Sequence, residues 1–331
     1  MKSARAALYN FLALAYLRPP DEDFLELARE ISGRTPRKHV HRMVTSDLAA
    51  RHTWLFSFNV YPYASVFLDP SGMLAAPWSS FVTSVYAALG LEVRSGVELA
   101  AGDHLAAQLE AVATLLEREA AAAGELEAVR ARHAQRVLLL GHLLPWLPAF
   151  TGAVRRLDQG FYGEVAALTR ELLLEHACEL LMDEVAPPFF FPEDGGGEVA
   201  AGATPSPARD SGDALEELRA LLTPARSGMF LSREDITRLG RRVELPVRFA
   251  ERRLMLQNLV VSAADRGDLA LLFAELRREA LSQAKNLLIW RRTVPLLAPI
   301  WEGWLTRLLA TRKRLEALSD DVREAVWRER R

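Results

Sequence analysis

Apolar residues recur every three or four positions along most of this chain, which is the spacing of amphipathic α-helices. One such stripe follows Asp103 and consists of Leu105, Leu109, Val112 and Leu116. Strict alternation of apolar and polar residues, which indicates half-buried strands, is absent, and the strand-like piece at 65–68 is too short to build a sheet. The sequence therefore predicts an all-α protein.

The composition is typical of a soluble globular protein: of 331 residues, 50% are apolar and 25% are charged. The formal net charge of −2 gives no overall electrostatic reason to bind nucleic acid or a membrane surface. The single cysteine, Cys178, excludes an internal disulfide and any cysteine-rich metal cage. We therefore expect no nucleic-acid partner and no metal site.

The first residues superficially resemble a signal peptide, but their apolar run is short and is interrupted by Tyr9, Asn10 and Tyr16. We predict instead that residues 3–17 form a retained amphipathic helix. Because no run of 18 apolar residues occurs, we expect no membrane span, and we expect a cytoplasmic location.

The composition changes at Pro187, where a stretch rich in Pro, Gly and Ser has no sustained helical pattern. Three parts are predicted: a helical domain over 1–185, a Pro/Gly-rich linker or loop over 186–212, and a C-terminal helical extension over 213–331. Within the extension, Ser232 is followed by two acids and predicts the start of a helix.

The sequence lacks the local motifs that carry common enzyme chemistry. It has no Gly-rich phosphate loop, no GxGxxG after a strand, no HExxH and no GxSxG. We therefore predict a protein that catalyses no reaction and holds no permanent cofactor.

Aromatic residues concentrate in a few segments of the N-terminal half. In order along the chain, these are PYASVFLDPSGML from Pro62, PW at 77–78, VYAALGL from Val85, DHL at 103–105, HLLPWLPAF from His142 and FY at 161–162. Their order and spacing resemble the TorD/DmsD/NarJ family of redox-enzyme maturation chaperones, over about residues 5–184.

The resemblance implies an all-helical bundle of the TorD-like type without catalytic activity. Members of that family bind apo molybdopterin-dependent oxidoreductases, notably their twin-arginine signal peptides, and hold them in the cytoplasm until the cofactor is inserted. The family's loop commonly reads Glu-Pro-x-Asp-His, and this chain keeps only Asp103 and His104 of it.

A receptor for such a leader needs an apolar groove with a carboxylate at its rim. We predict that Tyr63, Phe67, Leu68, Trp78 and Tyr86 line this groove. Asp103 is expected to face the cationic end of the leader and His104 to orient it, with His142 and Trp146 as further partner-binding residues. The alternative for the rings is core packing, and the alternative for Asp103 is to cap the helix that follows it.

Two other functions stay open at this stage. Residues 232–292 contain 12 arginines and Lys285 against 8 acids, which would suit a helical regulatory or nucleic-acid-associated scaffold. The second of these functions is a helical enzyme that uses Asp103 and His104 as an acid/base pair. A homodimer is also left open, as are the client enzyme and the binding of a nucleotide or molybdopterin precursor.

Overall fold

A computed structural model describes residues 2–33, 45–92, 102–182 and 220–329. The chain divides into two compact units, the first formed by Met1–Asp69 with Met73–Glu193 and the second by Pro70–Gly72 with Asp194–Arg331. The predicted linker over 186–212 lies outside the described residues. Within the described ranges every regular element is helical, so the predicted all-α fold is confirmed.

The first unit contains nine α-helices within the described ranges. They are α1 (Lys2–Leu17), α2 (Glu22–Gly33), α3 (Thr45–Thr53), α4 (Ala64–Leu68), α5 (Pro77–Ala88), α6 (Leu105–Ala120), α7 (Glu125–Arg136), α8 (Leu147–Leu157) and α9 (Phe161–Met182). Helices α3 and α7 each continue into a π-helical segment, Trp54–Asn59 and Val137–Leu143 respectively.

Short polar side chains and prolines determine where several of these helices begin. The carboxylate of Asp158 accepts hydrogen bonds from the backbone N–H groups of Gly160 (3.2 Å) and Tyr162 (2.9 Å) and so caps α9. Pro77 occupies the first turn of α5, where a missing backbone N–H costs the helix nothing. The strand-like piece at 65–68 is instead part of helix α4.

The core of the first unit is an aromatic cluster. Ring centroids 5.2–6.2 Å apart link Tyr16, Phe56, Phe67, Trp146, Phe150 and Tyr162. These rings come from five helical segments, so their packing joins the N-terminal helix to α4, α8 and α9.

A chain of hydrogen bonds connects four polar side chains in the interior of the first unit. Tyr9 donates its hydroxyl proton to His176 Nδ1 (2.8 Å), and His176 Nε2 donates to Gln135 Oε1 (2.9 Å). Gln135 in turn donates to Glu119 (2.9 Å). Burial lowers the pKa of His176 to about 4, so the imidazole is neutral in this arrangement.

Besides the helical residues 220–222, the second unit contains five α-helices in the described ranges. They are α10 (Pro224–Ser227), α11 (Arg233–Arg242), α12 (Arg252–Arg266), α13 (Leu269–Thr293) and α14 (Glu302–Glu329), with a 3₁₀ helix at Pro295–Trp301. Ser232 and Asp235 form a reciprocal capping box at the start of α11, which confirms the predicted helix start.

Helices α13 and α14 pack along each other and bury Trp290 and Trp301, whose ring centroids are 5.5 Å apart. Gly228 ends α10 with φ +68°. A Cβ atom at Gly228 would lie 2.7 Å from the backbone nitrogen of Leu308, so this position requires glycine on two counts.

Candidate partner-binding site

The predicted site begins at a corner where two short backbone stretches pair. Tyr63 and His104 form an isolated antiparallel bridge. The N–H of Ala64 donates to the carbonyl of Asp103 (3.0 Å), and the N–H of Leu105 donates to the carbonyl of Pro62 (2.8 Å). The starts of α4 and α6 are therefore held side by side.

Asp103 is fully buried at this corner, with 0% of its surface exposed. Its Oδ2 accepts a hydrogen bond from the backbone N–H of Ser65 at 2.8 Å. Because Ser65 lies in the first turn of α4, Asp103 caps α4. The predicted capping of the following helix by Asp103 is wrong, because it is His104 whose Nδ1 accepts from the N–H of Ala106 (3.1 Å) and caps α6.

His104 is neutral in this arrangement. Its Nδ1 is an acceptor, so any ring proton is on Nε2. Burial, and secondarily the neighbouring His52, lower the pKa of His104 to about 4. The ring of Tyr63 packs edge-on against it with the centroids 4.7 Å apart. Tyr63 is only half-buried, so it is the member of this group that reaches solvent.

Three oxygen atoms around Asp103 are buried without a hydrogen-bond partner. They are Asp103 Oδ1, Ser65 Oγ and Gln108 Oε1. The Gln108 side-chain amide donates to the Asp103 carbonyl (2.9 Å), so it adjoins the same residue. An unpaired carboxylate oxygen in such a place is costly unless a donor reaches it.

Three predicted site residues are part of the core. Phe67 and Trp146 are 0% exposed and belong to the aromatic cluster, and Tyr86 is 2% exposed. The Tyr86 hydroxyl donates to the carbonyl of Gly102 (2.8 Å), which anchors α5 to the corner. Leu68 is half-buried. The three buried rings have almost no exposed surface in this structure. Their direct contact with a partner therefore stays a prediction.

A partly exposed apolar strip runs along α5. This α5 stripe consists of Trp78, Phe81 and Val85, which are spaced i, i+3 and i+7 and so share one face of the helix. Phe81 is 43% exposed, and Trp78 and Val85 are half-buried. The Phe81 ring contacts Trp78 on one side (5.4 Å between centroids) and His142 on the other (5.6 Å).

Two buried polar atoms lie on either side of Phe81 without a partner. They are the indole nitrogen of Trp78 and Nδ1 of His142. His142 is 7% exposed, and burial lowers its pKa to about 4. A neutral imidazole nitrogen and an indole N–H are the kinds of groups that pair with peptide backbone.

The position of His142 depends on the π-helical segment at Val137–Leu143. There the N–H of Leu144 donates to the carbonyl of Leu139, five residues earlier. Pro145 supplies no N–H, and the indole N–H of Trp146 donates to the His142 carbonyl instead (2.9 Å). Buried Trp146 thus fixes the backbone that carries His142.

Phe81 was not among the predicted site residues. The available signal was the i, i+3, i+7 spacing of the α5 stripe. Trp78 and Tyr86 are eight residues apart, which rotates them by about 80° around a helix. Tyr86 therefore lies in the core while Trp78 lies at its edge with Phe81.

No three His, Cys, Asp or Glu side chains within the described ranges come together as a metal-binding group. In the same ranges, no helix is by itself long and apolar enough to cross a membrane. The consecutive pieces Glu125–Leu143 and Leu147–Leu157, bent by 57°, meet the length and composition criteria only when taken together.

The arginine-rich region over 232–292 is extensively paired with acids. Ion pairs join Arg238 to Asp235 and Glu279, Arg242 and Arg278 to Glu275, Arg241 to Glu234, Arg266 to Asp268, Arg277 to Glu316 and Arg291 to Glu302. These pairs offset much of the local positive charge, so the geometry does not favour the nucleic-acid alternative.

Comparison with known proteins agrees with the motifs. Residues 17–152 match the family model described as nitrate reductase delta subunit. A similar curated protein is the chaperone protein TorD of Vibrio parahaemolyticus serotype O3:K6 (strain RIMD 2210633), 29% identical over 127 residues. The alignment covers 37% of this chain and 59% of that relative. The matched residues contain most of the aromatic motifs, so this part of the chain is similar to the TorD/NarJ family, as those motifs predicted.

Proposed function

We propose that the chain is a cytoplasmic maturation chaperone for a molybdopterin-dependent oxidoreductase. It binds the apo form of that enzyme, through the twin-arginine leader, the folded body or both, and releases it once the cofactor is inserted. The chaperone itself carries out no reaction. The similarity of residues 17–152 to the nitrate reductase delta subunit family and the similarity of the chain to a chaperone protein named TorD support this proposal.

The α5 stripe is the observation that carries the proposal. It places Phe81, 43% exposed, between the unpartnered nitrogen atoms of Trp78 and His142. Water covers this apolar surface at a cost, and a partner peptide removes that cost by burying it. Trp78 Nε1 is buried, so a peptide carbonyl would reach this orphaned atom only after neighbouring side chains move.

The expected affinity suits a partner that must later be released. Burial of three or four leader side chains against the α5 stripe gives on the order of 5–10 kcal/mol of gross free energy. Association and ordering costs offset much of this, which leaves a dissociation constant of about 1 μM. The leader's apolar stretch is therefore expected to bind along α5.

The leader's arginines are proposed to bind at the Asp103 corner. Asp103 Oδ1 has no donor, and a guanidinium would supply one. Because Asp103 is fully buried, this contact requires Tyr63 or His104 to move first. Tyr63, half-buried against His104, is the side chain that we expect to open.

The proposal is tested by isolating the partner from the native host. The tagged full chain should co-purify with the catalytic subunit of a molybdoenzyme whose leader is intact, identified by mass spectrometry. Phe81→Ser should reduce the amount of that subunit that co-purifies. Phe249→Ser should not, because Phe249 is an exposed phenylalanine of the second unit (72% exposed) and lies outside the proposed site. Recovery of no such subunit, or equal recovery with both variants, contradicts the proposal.

A further inference from the structure

Helix α13 carries a seam of regularly spaced residues on its outer side. The seam consists of Leu271, Ala274, Arg278, Leu281, Lys285, Leu288 and Arg292. Steps of three and four alternate along it, which gives the 3.5-residue period of a coiled-coil interface. We call this set the α13 seam.

The α13 seam is accessible along its length. Leu271 is 44% exposed and Leu281 is 38% exposed, and the adjoining Ile289 is 55% exposed. Lys285 and Arg292 are exposed as well. The opposite face of α13 is the buried one, where Leu272, Leu276, Gln283 and Trp290 lie. One face of this helix therefore packs in the unit and the other meets water.

The seam alternates apolar and basic positions and contains no acid. The leucine row of the seam consists of Ala274, Leu281 and Leu288. The basic row begins at Leu271 and continues with Arg278, Lys285 and Arg292. The two acids of α13, Glu275 and Glu279, are buried on the other face at 4% and 6% exposure. The separation places all of the helix's negative charge inside the unit.

The basic row keeps charge available for a partner. Arg278 forms an ion pair with Glu275. Lys285 and Arg292 have no carboxylate partner among the described residues, and the acids of their own helix, Glu275 and Glu279, lie toward its N-terminal half. A partner that covers the leucines must also supply acids for these cations, because burying an unpaired charge is costly.

We propose that the α13 seam binds one amphipathic helix of another protein, in which apolar residues alternate with glutamate or aspartate at the same 3.5-residue period. The leucine row supplies packing, and the basic row selects for acidic positions opposite it. This inference concerns the second unit and does not depend on the proposed leader site.

Other occupants fit the seam less well. A second copy of the chain would bring basic rows together, and like charges at an interface oppose association. A nucleic-acid strand would pair the cations but leave Leu281 and Leu288 against water. A lipid surface would carry Lys285 to the same depth as the leucines that flank it, which disfavours insertion.

The test is a titration of the full chain with a designed helical peptide. The acidic peptide carries four heptads with leucine in one seam row and glutamate in the other, and a matched peptide carries lysine in place of glutamate. The acidic peptide should bind with a dissociation constant of about 1–10 μM and the lysine peptide at least about 30-fold more weakly. The double variant Lys285→Glu/Arg292→Glu should reverse this order.

A control variant and competing ligands make the outcome decisive. Lys313→Glu changes an exposed lysine on α14 and should alter peptide affinity by less than about twofold. The proposal is overturned if the two peptides bind equally, if neither binds, or if the double variant keeps the wild-type preference. It is also overturned if anionic vesicles, an oligonucleotide or self-association of the chain uses Lys285 and Arg292 while the acidic peptide does not.

Discussion

The carboxylate of Asp103 accepts a hydrogen bond from the backbone N–H of Ser65 at 2.8 Å, across 38 positions of sequence. The Asp103 carbonyl accepts a second bond from Ala64, so one residue satisfies two N–H groups at the start of α4. This arrangement gives Asp103 a structural task whether or not a partner's cation also reaches its free oxygen.

Replacing Asp103 by alanine is expected to destabilise the first unit by about 2–4 kcal/mol. The change removes the cap of α4 and leaves the N–H of Ser65 buried without an acceptor. Asp103→Asn keeps a side-chain acceptor and should cost only about 1 kcal/mol. Urea unfolding followed by circular dichroism measures both values.

Asp47→Ala is the matched control, because Asp47 is an exposed acid on α3. It should change the free energy of unfolding by less than about 0.5 kcal/mol. An Asp103→Ala variant as stable as the wild type would show that the Asp103–Ser65 bond does not hold α4.

Stability should fall as the pH is lowered from 7 to 5. Burial lowers the pKa values of His104, His142 and His176 to about 4, below the ordinary value of 6.5 for histidine. In this window the unfolded chain binds protons that the folded chain does not, so acid favours unfolding. At pH 5, each histidine is expected to lower the free energy of unfolding by on the order of 1–2 kcal/mol relative to pH 7.

The free energy of unfolding in urea at pH 7, 6 and 5 measures this effect. His142→Gln should reduce the loss of unfolding free energy between pH 7 and pH 5 by about the contribution of one histidine, because glutamine does not titrate. A flat profile, or the same slope in the variant, would mean that these imidazoles are not buried in the neutral form.

Phe67 and Phe81 should respond in opposite ways to truncation. Phe67→Ala removes a 0% exposed ring from the aromatic cluster and should cost about 3–5 kcal/mol of stability. Phe81→Ala removes a ring that is 43% exposed and should cost about 1 kcal/mol or less. Thermal unfolding of the two variants in parallel distinguishes core from surface, and equal losses would contradict the placement of Phe81.

Two glycines with similar backbone angles provide a matched pair in the second unit. Gly228 (φ +68°) has no room for a Cβ beside Leu308, whereas Gly267 (φ +76°) has nothing within 4 Å. Gly267→Ala should cost about 1 kcal/mol, the strain of the backbone alone. Gly228→Ala should cost at least about 2–3 kcal/mol, because strain and overlap add.

Differential scanning calorimetry of the full chain measures both glycine variants. The transition of the second unit should shift further in Gly228→Ala than in Gly267→Ala. Identical shifts would mean that α10 does not approach α14 as closely as the structure describes.

The sequence was sufficient to predict the helical fold, because apolar spacing and caps such as Ser232 act locally. It was not sufficient to predict which helix Asp103 caps, because Asp103 and Ser65 are far apart in the chain. Nor did spacing distinguish Trp146, which is buried, from Trp78, which lies at the edge. Both lie at helical spacing from other apolar residues in the sequence, and only the packing of neighbouring helices determines which ring is covered.

Isothermal calorimetry with a synthetic leader peptide tests the central claim most directly. The peptide is the twin-arginine leader of the oxidoreductase that co-purifies with the chain, and its Leu-to-Ala variant probes the apolar contact. The account predicts a dissociation constant of about 1 μM, weakened at least about tenfold by Phe81→Ser and unchanged by Phe249→Ser. Unaltered affinity in Phe81→Ser, at unaltered stability, would contradict leader binding along the α5 stripe.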